Sequence, residues 1–216
     1  MSEPARKKYA GAGRPTAEQA RKRHHELLEK SLTLFLKKGF EQTTLDDIAA
    51  VMHMTKRTIY GLYDNKEQLF RAAVKLAIED NRISEGQLSE INCSDLQLAL
   101  RTIAKLRVDK SLSPQGKRLQ SIINAESYRF PDLQVMIYRE NTGPTIHFLV
   151  ELFKQHAATG EVDIEKPEAC ASIFLAMAVG VPARAVITST HPDQVMNVEE
   201  HIDYCVHLFL KGVTKR

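Results

Sequence analysis

Thr55-Lys56-Arg57-Thr58 places two cations between two hydroxyls at a point where the pattern of the chain turns helical. Side chains at the start of a helix laid into the major groove of DNA meet base edges. Arg and Lys donate to guanine O6 and N7, and Thr meets a thymine methyl or a phosphate. Groups suited to phosphate flank this run. Thr44 is a good N-cap, Tyr60 carries a hydroxyl, and Lys66 stands at a helix start whose free N–H groups also attract anions. Arg14, in the preceding arm, is suited to a minor groove. The chemistry is that of a surface that clamps and reads double-stranded DNA.

Three short helices must position these residues. Residues 1–16 are Gly-, Pro- and charge-rich with little to bury, so a flexible basic arm is expected there. From Ala17 a helical period sets in, with Leu28, Leu32 and Phe35 at i, i+4 and i+7 and Leu27, Ser31 and Leu34 alongside. Lys37 and Lys38 suit its last turn, and Gly39 its end. Thr44 with Asp47 makes a capping-box pattern ahead of an apolar face of Leu45, Ile48, Ala49 and Met52. A second short helix starts at Thr55, with Ile59, Leu62 and Tyr63 expected inward. Asp64-Asn65 interrupts it, and a third starts near Lys66 with Leu69, Phe70, Ala73 and Leu76. His53, in the turn between the first two, tolerates a left-handed backbone better than most residues. His24-His25 reads as a solvated helix face.

Charge agrees with a polyanion partner. Residues 1–78 carry 15 Lys and Arg against 9 Asp and Glu, an excess of +6, while residues 79–216 carry 15 against 18, a deficit of −3. Such a one-ended excess is an electrostatic footprint of nucleic-acid binding. The 216 residues have a mean hydropathy of −0.29 and no apolar run near the roughly 20 residues of a membrane span. The basic N-terminus has no secretory pattern. Three scattered cysteines, Cys93, Cys170 and Cys205, read as reduced, mostly buried thiols of a cytoplasmic protein.

Beyond residue 78 the pattern stays helical, with helices expected near 94–109, 115–129, 131–141, 145–158, 167–187 and 195–212. Gly86, Pro114, Pro131, Gly143-Pro144, Gly160, Pro167 and Pro192 punctuate them. No stretch alternates over strand length, so the expected fold is all-α. GxSxG, P-loop and HExxH motifs are absent, and no cofactor or catalytic pair is expected. The His201/Cys205 and Asp203/His207 pairs alternate with packing positions and do not make a metal site.

Gly39-Phe40-x-x-Thr43-Thr44-Leu45-x-x-Ile48-Ala49, followed by Thr55-x-x-Thr58-Ile59-Tyr60-x-x-Tyr63-x-Asn65-Lys66-Glu67-x-Leu69-Phe70, closely resembles the DNA-binding domain of the TetR family. Tyr128-Arg129-Phe130-Pro131-Asp132-Leu133 has a fainter likeness to AefR-type C-terminal regions. The resemblance implies a basic arm (1–16), a three-helix helix-turn-helix DNA-binding domain (17–65) and a larger α-helical ligand-binding and dimerisation domain (66–216). It implies phosphate contacts at Thr44, Tyr60 and Lys66, and base-facing positions at 55–58 and 61. It further implies a homodimer built on the last two helices, with Ile173, Met177 and Gly180 on one and Ile202, Val206 and Phe209 on the other. A small hydrophobic or aromatic effector would sit among the middle helices, with Tyr128, Phe130, Met136, Tyr138, His147, Phe148 and Phe174 as candidate lining. The function so implied is a repressor released from a near-palindromic operator by that effector. An effector-independent architectural DNA-binding protein is the alternative, and an all-α enzyme stands well behind both.

Overall fold

A computed structural model describes residues 16–188 and 197–214. Arg14 lies outside what is described. The described elements are helices α1 Ala17–Lys38, α2 Leu45–Met52, α3 Lys56–Tyr60, α4 Lys66–Asn81, α5 Glu85–Ser89, α6 Leu96–Leu112, α7 Pro114–Glu126, α8 Asp132–Ile137, α9 Gly143–Ala158, α10 Pro167–Thr188 and α11 Val198–Val213. Among the described residues there is no strand, and Val162 and Thr214 make an isolated antiparallel bridge. The fold is all-α. The chain divides into two compact units, Met1–Ala73 and Val74–Arg216, and the division falls inside α4.

The first unit is set by local signals. Thr16 caps α1 in a capping box with Gln19. Gly39 ends the helix at φ 81, a conformation that costs a residue with a Cβ more than it costs glycine. Leu27, Leu28, Leu32 and Phe35 are buried as the period predicts. Phe35, Phe40 and Phe70 meet with ring centroids 5.1–5.8 Å apart. Each such ring, once buried, contributes about 1.5–3 kcal/mol by apolar area alone. Thr43 is buried too, and its Oγ1 donates to the Gly39 carbonyl at 2.8 Å.

In the second unit α10 packs on α6, α9 and α11. Phe209 stands between Phe153 and Phe174 at 5.2 and 5.3 Å. Arg101 and Lys105 of α6 pair with Asp203 and Glu199 of α11. His156, 5% exposed, hydrogen-bonds through Nδ1 to the Glu161 carboxylate and through Nε2 to the Cys93 carbonyl. Both acceptors are satisfied together only when both ring nitrogens carry protons.

Two sequence expectations are revised here. Ser84 caps a short helix, α5, that the periodicity did not reveal, its five residues being too few to show a period. Gly143-Pro144 does not break the chain into separate helices. Tyr138–Thr142 forms a π turn that carries α8 directly into α9, with the Gly143 N–H donating to the Tyr138 carbonyl. Proline has no N–H and clashes with the carbonyl four residues back, and the wider turn relieves both problems.

Candidate nucleic-acid interface

The helix-turn-helix is built from caps. Thr44 Oγ1 accepts from Asp47 N at 3.1 Å, and Thr44 N donates to Asp47 Oδ2 at 2.9 Å, completing the box the sequence suggested. His53 follows α2 at φ 50, ψ 43, the left-handed geometry expected of the turn. Thr55 caps α3, with its Oγ1 accepting from Thr58 N at 3.1 Å and lying 2.8 Å from Thr58 Oγ1. Ile59 is fully buried and pins α3 to the core, so Thr55, Lys56, Arg57, Thr58 and Tyr60 are turned to solvent.

These residues are not equivalent. Lys56 Nζ reaches Asp46 Oδ2 at 2.8 Å, and this bond and charge raise the lysine pKa. The Arg57 side chain makes no hydrogen bond or ion pair among the described residues and is exposed, which leaves its donors available to a base or phosphate. Tyr60 is half exposed. Gly61 follows at φ −71, ψ −15, and a Cβ there would meet only the Thr58 and Arg57 carbonyls at 3.4 and 3.5 Å.

Lys66 does more than offer a charge. Its Nζ donates to the Phe40 carbonyl at 2.8 Å and the Glu41 carbonyl at 3.1 Å, and lies 4.4 Å from the centroid of the Phe40 ring. Two of its three N–H groups thus secure the α1–α2 connection, and one is left for a phosphate. Asp47, besides its role in the cap, accepts from Lys38 Nζ at 2.8 Å. The Lys38 hydrogen bond and those from Thr44 pull its pKa down to about 2.

Three assignments in this unit shift. Leu62, expected inward, is 49% exposed. Its N–H and that of Tyr63 both bond the Ile59 carbonyl in a turn, so the helical phase ends at Gly61 and no longer directs Leu62 to the core. Leu62 instead lines an open cleft of about 620 Å³ with Leu27, His24, Met54 and Thr58. His24 is not merely a solvated side chain, because its Nε2 lies 2.7 Å from Tyr63 Oη and the two rings stack at 5.9 Å. Tyr63 is accordingly only half buried, and burial raises its pKa. No local pattern ties residues 39 apart, so this link was not readable from the sequence.

The second-unit candidates are spread over several environments. Phe174 and Phe130 are buried, with Phe174 in the main core, while Tyr128 is fully exposed and Tyr138 is 56% exposed. His147 is exposed, Met136 and Phe148 are half buried, and Phe148 lines a separate open cleft beside Cys93 and Leu152. On α10, Ile173 is 56% exposed and Met177 and Gly180 are half buried, so they present an outward face. On α11, Ile202, Val206 and Phe209 are buried in their own unit's core. The outward apolar residues of α11 are Tyr204 and Leu208. No group of three or more metal-ligating side chains occurs among the described residues, and no helix there is long and apolar enough to cross a membrane.

Comparison with known proteins accords with this geometry. The profile of the tetR family of bacterial regulatory proteins matches residues 27–73, and that of the AefR-like transcriptional repressor C-terminal domain matches residues 98–212. The icaADBC biofilm-operon HTH-type negative transcriptional regulator IcaR of Staphylococcus epidermidis is 40% identical over 50 residues, 23% of this chain and 27% of that protein. IcaR of Staphylococcus aureus strain Newman is 33% identical over 54 residues, 25% of this chain and 29% of that protein. The match therefore spans between a quarter and a third of the length of these relatives. Among solved structures, the flavonoid-responsive regulator FrrA superposes with a TM-score of 0.72 at 24% identity, over 90% of this chain and 99% of that one. A TetR-family regulator from Mesorhizobium loti gives 0.70 at 22%, over 91% and 99%. At these identities the shared property is the fold. With one profile on its helix-turn-helix and another over more than half of its length, the chain belongs to the TetR family of DNA-binding transcriptional regulators, a class without enzymatic activity.

Proposed function

We propose that this regulator is a homodimeric repressor that binds a near-palindromic operator and leaves it when a small hydrophobic or aromatic effector occupies the second unit. The observation that carries the reading is Arg57, its side chain exposed and without a partner among the described residues, on the capped helix α3. In this reading Arg57 reads a guanine, Thr55, Lys56 and Thr58 meet neighbouring bases and phosphates, and Thr44, Tyr60 and Lys66 fix the register. Arg14 enters the adjacent minor groove. The dimer face comprises Ile173, Met177 and Gly180 of α10 with Tyr204 and Leu208 of α11, whose outward apolar area is not covered by the described residues. Two copies then present α3 helices about 34 Å apart. Repression is supported by the negative-regulator name of IcaR, and response to a small molecule by the flavonoid-responsive name of FrrA. Coupling of ~1–3 kcal/mol between effector and DNA would shift affinity ~5–150-fold.

The test is selection of bound fragments from random and genomic DNA by the purified protein at near-physiological salt. An enriched near-palindrome supports the reading and supplies the probe for an effector screen. Salt-sensitive binding without a motif supports effector-independent architectural binding instead, and absence of binding overturns both.

A further inference from the structure

α6 buries one face of Leu96, Ala99, Leu100, Ile103, Ala104 and Val108, and Arg107 stands in that same face. The residue is 9% exposed, yet among the described residues no carboxylate pairs with it. Its side-chain hydrogen bond among them runs from Nη1 to Asn141 Oδ1, at 2.7 Å. A guanidinium has five donors, and a cation taken out of water without a counter-charge is costly. Burial alone lowers the pKa of Arg107, the mark of a charge without compensation.

Its surroundings are donor-rich. Arg107 only donates, so the Asn141 atom facing it is the carbonyl oxygen, and the Asn141 NH₂ has no partner among the described residues. Asn141 sits in the π turn, 4% exposed, and Thr145, one helical turn on, is 1% exposed and its hydroxyl makes no hydrogen bond among the described residues.

The geometry points to an anion subsite in the second unit, in which Arg107 and Asn141, with Thr145 beside them, receive the carboxylate of a small organic acid that serves as the effector. A single guanidinium charge is balanced by a monoanion, whereas a doubly charged phosphate would leave a buried charge uncancelled. A carboxylate also matches the planar fork of the guanidinium. The inference rests on the effector reading above and adds its chemical class.

The test reads the thermal midpoint of the full chain without DNA, at constant ionic strength, with sodium acetate, benzoate and octanoate and with the matched amides. A carboxylate present at a hundredfold excess over its Kd is expected to raise the midpoint by roughly 5–10 °C, and its amide to leave it unchanged. Arg107→Met should lose the response. Asn141→Asp supplies the missing carboxylate internally, so it should raise the midpoint of the free protein and also lose the response. Equal response to acids and amides, a response kept by either variant, or no response to any carboxylate overturns the subsite. Operator release by an uncharged compound, with no response to carboxylates, overturns the subsite and keeps the effector reading. Carboxylate binding that leaves operator affinity unchanged keeps the subsite and sinks that reading.

Discussion

Lys56 Nζ lies 2.8 Å from Asp46 Oδ2, so one of the two cations at the head of α3 is already paired with the helix before it, while its neighbour Arg57 has no such partner among the described residues. An exposed pair of this kind adds little to stability and opens readily when DNA arrives. Asp46→Asn should leave the thermal midpoint nearly unchanged, tighten binding to all duplexes, and steepen the salt dependence by about one phosphate contact. Kd measured against salt on random duplex DNA decides it, and an unaltered slope rules out Lys56 as a phosphate contact in competition with Asp46.

Arg57→Ala should cost ~1–3 kcal/mol of binding and relax preference at one base position. Competition among operator variants checks this. Uniform weakening across all sequences contradicts base reading and assigns Arg57 to the backbone.

Lys66→Met separates two roles that DNA binding alone would confuse. Removing the charged donor from the Phe40 and Glu41 carbonyls should lower stability by ~1–3 kcal/mol without any DNA present. Thermal melts of the free protein read that role. A lower salt slope with an unchanged midpoint would mean the lysine serves phosphate alone.

Two pH dependences of opposite sign follow from ionised groups. Asp47 titrates at about 2 when folded, below its usual range, so its contribution is complete above roughly pH 4 and drains as pH falls towards 2. For His156, burial opposes the charge, and the Glu161 hydrogen bond and the Cys93 carbonyl outweigh it, raising the pKa. Its contribution is complete below about 6.5 and is lost as pH rises through the folded value. The midpoint difference between wild type and Asp47→Asn should vanish in strong acid, and that for His156→Gln should shrink in alkali. A difference flat across pH refutes the corresponding ionisation.

Leu208→Glu and Ile173→Asp, on outward faces, should yield folded monomers by light scattering and weaken operator binding. Ile202→Asp, in the core, should unfold the chain instead, since an unpaired buried charge is strongly destabilising. Dimers persisting in both outward variants would move the interface elsewhere.

The contrast between Ile202 and Leu208 shows what periodicity can and cannot yield. α11 carries apolar residues on two faces, with Ile202, Val206 and Phe209 on one and Tyr204 and Leu208 on the other. A period identifies a stripe, but it does not say whether the stripe meets its own core or a second chain. Caps fared better, because Thr44 with Asp47, and Thr55 with Thr58, act within four residues of themselves. His24 with Tyr63 and Lys66 with Phe40 depend on how distant segments fold back, and no local rule reaches that far. Arg107 was legible in principle, as a charge within the apolar register of α6. Its importance lay in the lack of a counter-charge, which only the packed structure reveals.

Gly61 carries a consequence for the history of such regulators. Its backbone is ordinary helix-end geometry, and a Cβ there would meet nothing closer than 3.4 Å. One codon change could therefore add a reading side chain beside Arg57 without refolding the domain. A duplicated copy of this gene could acquire a new target at that position while its sensor half stayed the same, so that recognition and sensing diverge on separate clocks.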